Sequence, residues 1–185
     1  VLMAAYDMGY IAERPLQRRV PTPRPRSEQV QPWDRLEVAS ALEAAEGWRP
    51  ELRAYLALGL SGLRKSEAMA VRPCDLSLTK LFDFATGAET ESMTVTVRRT
   101  YTEADGVRED TKNDRSARAV PVFAPCRVML SAVAVGVPAD ERLVALSVGA
   151  FNRVWKKALA ESGLRYVPPG TLRHTSDTIA LDAGV

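Results

Sequence analysis

Arg64 stands two residues after Gly62, at a break between two apolar helical stretches, in the run Leu60-Ser61-Gly62-Leu63-Arg64-Lys65-Ser66-Glu67. Glu67, three residues on, shares its helical face and can orient the guanidinium as a carboxylate partner does. Arg173 and His174 follow the rigid Pro168-Pro169-Gly170 turn at the start of a last predicted helix. Free amides and the dipole at a helix N-terminus favour an anion such as phosphate. Lys112 lies in Asp110-Thr111-Lys112-Asn113-Asp114-Arg115-Ser116-Ala117-Arg118, a polar loop leading into a strand. Each feature has a plainer reading: a helix-end arginine paired with Glu67, a satisfied histidine, a solvated lysine. Taken singly, none of the three decides a function.

Other chemistries lose support by what is missing. One histidine, two cysteines (Cys74 and Cys126) without CxxC spacing, and no DxD or HExxH arrangement leave no ligand set for a metal. There is no GxGxxG, no Walker lysine loop and no GxSxG elbow. Any chemistry therefore falls to charged organic groups, and no cofactor is expected. With 185 residues, 46% hydrophobic and 26% charged, the chain is expected to bury a core. Its net charge of +2 is too small to argue for nucleic acid by itself, so local clusters must carry that case. The cysteine usage fits a reducing, cytosolic compartment. No apolar run approaches the roughly 18 residues of a membrane span. The sequence opens on Val1 and stops at Val185 in a helical pattern, which suggests a fragment.

The elements that must position these residues can be read from periodicity. Residues 1–13 carry Leu2, Ala5, Tyr6 and Gly9 at helical spacing and stop before Pro15. Residues 14–32 form a connector with Pro15, Pro21, Pro23, Pro25 and Pro32 among Arg14, Arg18, Arg19, Arg24 and Arg26: a solvated tether, or a strap lying against phosphates. Asp34 is a plausible N-cap for a helix with Val38, Ala39, Leu42 and Ala45 on one stripe, ending near Gly47. A second helix runs from Pro50 to Ser61-Gly62 with Leu52, Tyr55, Leu56 and Leu60 on one side, and a third from Ser66 to Arg72, ended by Pro73. Between Cys74 and Val122 the pattern turns to strand: Met93 to Val97 alternates, Ala119 to Val122 is β-rich, and Asp105-Gly106 signals a turn. Helices return at 125–135, at 149–162 with Phe151, Val154, Trp155, Ala158 and Leu159 as the apolar face and Gly163 as stop, and at 171–183. The fold class expected is α+β, mainly α, with a small antiparallel three-stranded sheet.

In order along the chain, four segments resemble one family, the tyrosine recombinases of the phage-integrase type. Leu58 to Glu67 followed by Ala70-Val71-Arg72-Pro73-Cys74-Asp75-Leu76 is similar to the family's first-arginine motif and the strand that follows it. Thr111 to Val122 resembles its lysine hairpin, TKTxxSxRxVPL. Gly170-Thr171-Leu172-Arg173-His174-Thr175 with Ala183-Gly184-Val185 resembles its HxLRHt box, and Ala4 to Leu16 resembles the helix that closes its core-binding domain. The resemblance implies three parts: residues 1–13 as the last helix of a truncated core-binding (SAM-like) domain, 14–32 as a basic linker, and 33–185 as a catalytic domain incomplete at its C-terminus.

It also implies a mechanism. A tyrosine hydroxyl attacks a DNA phosphate to form a 3′-phosphotyrosine, later reversed by a partner strand, without metal or nucleotide. Arg64 and Arg173 would clamp the non-bridging oxygens, Lys112 would protonate the departing oxygen, His174 would position or deprotonate the nucleophile, and Glu67 would hold Arg64. Lys65, Arg115, Arg118, Arg18 and Arg19 are the further positions expected to contact double-stranded DNA. Gly170 stands where the family's box has histidine. None of Tyr6, Tyr10, Tyr55, Tyr101 and Tyr166 follows the third box, so no nucleophile is assigned and the chain alone is expected to be inactive. A degenerate DNA-binding remnant of the same fold is the competing reading. Family members assemble as tetramers on DNA by exchanging a C-terminal segment, so a fragment without it is expected as a monomer, in a bacterial or phage-derived cytoplasmic setting.

Overall fold

The computed structural model describes residues 6–10, 12, 30–82, 87, 89–109 and 118–182. Among them lie six α-helices of four or more residues: α1 (Arg35–Ala44), α2 (Pro50–Leu60), α3 (Lys65–Ala68), α4 (Arg127–Val135), α5 (Val148–Glu161) and α6 (Leu172–Asp182). Five strands intervene between α3 and α4: β1 (Leu76–Phe82), β2 (Glu89–Val97), β3 (Arg99–Thr102), β4 (Gly106–Glu109) and β5 (Arg118–Pro121). Among the described residues no helix is long and apolar enough to cross a membrane.

α2 is the axis of the core. Leu52 and Ala54 through Leu60 are all buried, and a helix apolar on every side must be surrounded by others. α4 and α6 pack against it. α5 closes the remaining side through Phe151 and Trp155, whose rings stand 4.4 and 5.9 Å from that of Tyr55. Asp34 caps α1 through a reciprocal capping box: its carboxylate accepts from the Glu37 amide at 2.8 Å, and Glu37 accepts from the Asp34 amide at 2.9 Å.

β1, β2 and β5 form one antiparallel sheet in that order, with Leu76 opposite Val95 and Val95 opposite Val120. The expected three-stranded sheet is therefore present. β3 and β4 form a separate two-stranded ribbon between β2 and β5, turned at residues 103–105 with Gly106 at φ +67°. The Asp105-Gly106 signal marks this turn, while the ribbon as a second sheet was not expected. The ribbon packs on α3, and Arg99 pins it by donating at 2.9 and 3.1 Å to the buried Asp75 carboxylate.

The third helix departs from expectation. It covers Lys65–Ala68 and not 66–72. The amides that would have extended it are turned elsewhere: the Ala70 amide bonds Glu67 O at 2.9 Å in a tighter turn, and the Arg72 amide donates to Asp75 Oδ2 at 3.0 Å. The helix expected from residue 125 opens as a 3-10 turn, Ala124–Cys126, before α4. Most of residues 1–29 lies outside the described set, and with it most of the terminal helix and the connector; Tyr6 and Asp7 have helical backbone.

α2 and α6 meet at closest range where a glycine permits it. A Cβ added at Gly59 would lie 2.7 Å from Leu172 Cδ1 and 2.9 Å from Leu172 Cβ. Gly59→Ala is expected to force the two helices apart and to cost about 1–3 kcal/mol, measured by urea denaturation. An unchanged midpoint would show that α6 is not seated against this glycine.

Candidate functional site

Three elements reach the C-terminal end of α2. The helix stops in a Schellman turn: the Gly62 amide bonds Gly59 O at 3.0 Å, the Leu63 amide bonds Leu58 O at 3.2 Å, and Gly62 takes φ +86°. Leu63 is buried, so the turn delivers Arg64 to the surface directly above the core. α6 arrives with Leu172 against Gly59 and Ser176 Oγ 3.9 Å from the Cβ position of Gly62. β5 arrives through its exit, where the Phe123 amide donates to Ser61 Oγ at 3.0 Å, and through Arg118. The chain segments bearing Arg64 and Arg173 are therefore neighbours at one helix end.

Glu67 is the hub. It is 4% exposed, and its carboxylate accepts from the Arg64 amide at 2.8 Å, from Arg64 Nη1 at 3.0 Å, and from Arg118 Nη1 and Nη2 at 3.1 and 2.8 Å. Burial alone would raise its pKa. The Arg118 fork, the Arg64 amide and the Arg64 side chain outweigh this and hold the carboxyl below its ordinary value, so it stays ionised. The two guanidiniums keep contact with water, Arg64 at 62% and Arg118 at 40% side-chain exposure, and present outward faces not consumed by the carboxylate.

Arg173 sits in the first turn of α6, half-buried, and its Nη1 is buried with no hydrogen-bond partner among the described residues. His174 is exposed, and its main-chain carbonyl accepts from Thr178 Oγ1 at 2.9 Å. Gly170 lies exposed in the 3-10 turn Pro169–Thr171, and a Cβ there would meet nothing within 4 Å. Lys65 is half-buried and donates to Asn152 Oδ1 of α5 at 2.9 Å. Burial lowers the Lys65 pKa, opposed by the Glu103 carboxylate. Its ammonium is thus engaged within the fold. Lys112, Arg115, Arg18 and Arg19 lie outside the described residues. Among the described residues, no cluster of three or more His, Cys, Asp or Glu side chains could hold a metal ion.

The sequence pairing of Arg64 with Glu67 is present. Missing from the sequence reading was Arg118 as a second partner of Glu67, 51 residues away. Its position within the lysine-hairpin segment was the available signal, but spacing in sequence does not say which carboxylate a strand residue meets.

Solved structures of similar shape are known. Two structures of the Tn1549 transposon integrase in complex with circular intermediate DNA superpose with TM-scores of 0.61 and 0.63 at 15% identity, covering 98% and 99% of this chain. The XerA recombinase superposes with a TM-score of 0.55 at 18% identity over 89% of this chain. The fold is that of the tyrosine recombinases. The chain spans 62% and 65% of the two integrase chains and 53% of the XerA chain. No protein-family model matches the sequence, and no curated protein matches it.

Two measurements check this arrangement. Because Glu67 titrates below its ordinary value of 4.5, its ion pairs contribute stability that is complete above pH 4.5 and is lost as pH falls through the lowered folded value. Glu67→Gln should cost about 1–2 kcal/mol at neutral pH, limited by the exposure of both arginines, with a deficit that shrinks below pH 4.5. A deficit constant from pH 7 to 3 would contradict an ionised hub. Gly170→His should leave the unfolding free energy within about 0.5 kcal/mol of the parent, since the position is open; a larger loss would show the turn to be closed.

Proposed function

We propose that the chain is the phosphate-gripping part of a site-specific DNA recombinase or integrase, acting on double-stranded DNA. What carries this reading is the meeting of Arg64, Arg118 and Arg173 segments at the end of α2 with one carboxylate, Glu67, among them. A buried guanidinium nitrogen without an acceptor is costly, and the Arg173 Nη1 is such a group. A phosphate oxygen supplies the missing acceptor and the opposite charge. The fold shared with DNA-bound integrase structures supports the same partner.

In this reading Arg64 and Arg173 hold the two non-bridging oxygens of a DNA phosphate. As charge builds on those oxygens during attack, fixed guanidiniums stabilise it without reorganising, which is how they serve as the electrophilic partner of phosphoryl transfer. Glu67 fixes the direction of Arg64 and links it to β5 through Arg118. Lys112, carried between β4 and β5, protonates the departing 5′-oxygen, and His174 serves the attacking hydroxyl. The attacking tyrosine is assigned to none of the five in this chain. Tyr55 is buried at 1% exposure, with its phenol pKa pushed up by burial, and Tyr101 is covered by the Arg142 guanidinium at 3.8 Å from its ring centroid. These groups are read as the phosphate-binding part of a site that cleaves and rejoins DNA through a 3′-phosphotyrosine, as a tetramer on DNA. A non-catalytic DNA-binding protein of the same fold is the second reading, favoured by Gly170, which offers no side chain to the phosphate.

Duplex binding followed by fluorescence anisotropy tests the proposal. Affinity should fall linearly on a log–log plot against salt, and Arg173→Ala should weaken it about ten- to hundredfold. Salt-independent binding, or an Arg173→Ala variant that binds as the parent does, would overturn it.

A further inference from the structure

Arg173 and His174 share the first turn of α6, one with a guanidinium nitrogen that has no partner among the described residues, the other exposed. What holds that turn is its inner face. Leu172 lies on the Gly59 backbone, and Thr175, one turn further along the same face, is fully buried. The Thr175 hydroxyl accepts from the Trp33 amide at 3.1 Å and donates to Thr171 O at 3.4 Å. Its donor and one acceptor position are thereby used inside the fold. Trp33, 1% exposed, belongs to the irregular segment that leads into α1. That segment is itself anchored: the Trp33 indole Nε1 donates to Arg165 O at 3.1 Å, and Arg165 Nη2 donates to Pro32 O at 2.8 Å.

The two inner contacts constrain different things. An apolar contact has no preferred direction, so Leu172 sets how closely α6 approaches α2 while resisting rotation of α6 about its own axis only weakly. A hydrogen bond weakens steeply once its angle is lost, so the bond between Thr175 and the Trp33 amide fixes that rotation. The bond is hard to give up, because a buried amide left without an acceptor is costly. Arg173 is a long lever on the adjacent face of the same turn. A small rotation of α6 therefore displaces its guanidinium far more than its backbone.

We propose that Thr175 is a positioning residue for the phosphate grip: by holding the Trp33 amide it fixes the rotation of α6 at which the Arg173 guanidinium meets a DNA phosphate. This rests on the DNA-binding reading above. Thr175 is buried and touches no phosphate itself.

Duplex titrations by fluorescence anisotropy on the 185-residue chain separate positioning from packing. Thr175→Val keeps the shape and loses the acceptor, whereas Thr175→Ser keeps the hydroxyl and loses a methyl group. Packing alone predicts that serine is the more disruptive of the two, and that stability falls while the folded protein binds as before. Positioning predicts that Thr175→Val weakens binding about five- to tenfold while Thr175→Ser stays within about twofold of the parent. In an Arg173→Ala background the valine effect should shrink below about twofold, since no guanidinium is left to aim. The coupling is reciprocal, so duplex binding must in turn favour the bond. Exchange of the Trp33 amide hydrogen, followed by NMR in the unsubstituted chain, should slow about five- to tenfold at saturating duplex, a readout that does not depend on any variant folding. Unchanged affinity for Thr175→Val, a serine variant as weak as the valine one, an undiminished effect in the Arg173→Ala background, or Trp33 exchange indifferent to duplex overturns the inference alone. A parent chain with no salt-dependent DNA binding overturns it together with the reading on which it rests.

Discussion

A carboxylate almost entirely withdrawn from water keeps its charge only if the lost hydration is replaced. At Glu67 the replacement comes from two guanidiniums and a main-chain amide, each drawn from a different constraint. The amide is that of Arg64, fixed by the turn ending α2; one guanidinium belongs to Arg64, the other to the first residue of β5. Because the demand for compensation is met only when α3 and β5 stand together, the ion pairs register the sheet against the helical layer. They also leave both arginines aimed outward with little freedom. Burial of one acid thus shapes a basic surface.

Placement of the third arginine depends on volume more than charge. At Gly59 the absence of a side chain lets Leu172 lie directly on the α2 backbone, and Gly62, in a left-handed conformation, turns the chain away within one residue. A longer approach distance would move the whole first turn of α6, and Arg173 with it. Two glycines three residues apart therefore do for α6 what Glu67 does for β5.

Local signals in the sequence survived in the structure, and tertiary ones did not announce themselves. Asp34 as cap, Gly163 at φ +67° as stop, the Asp105-Gly106 turn and the Arg64–Glu67 spacing all express interactions within a few residues. The stripe on α5 was legible because one face of a long helix meets a continuous core. By contrast β1 alternates only over Leu76-Ser77-Leu78-Thr79 before Lys80 breaks the pattern, its residues 77–80 are all exposed, and its identity comes from pairing with β2. α3 ended early because the Arg72 amide goes to the Asp75 carboxylate, itself held by Arg99 24 residues further on. The attachment of Lys65 to Asn152 and of Arg118 to Glu67 are distant in sequence, and motif order along the chain, rather than any property of those residues, was what brought the site together on paper.

The three tryptophans have a practical consequence. Trp33 and Trp48 lie with ring centroids 6.2 and 5.7 Å from Trp155, so the full indole content of the chain is gathered at one spot. Excitation energy will pass among them freely at that separation, and the ultraviolet emission of the protein reports a single location. Since Trp33 belongs to the irregular segment that leads into α1, the intrinsic optical signal is a built-in gauge of whether that segment is docked, available without attaching any dye.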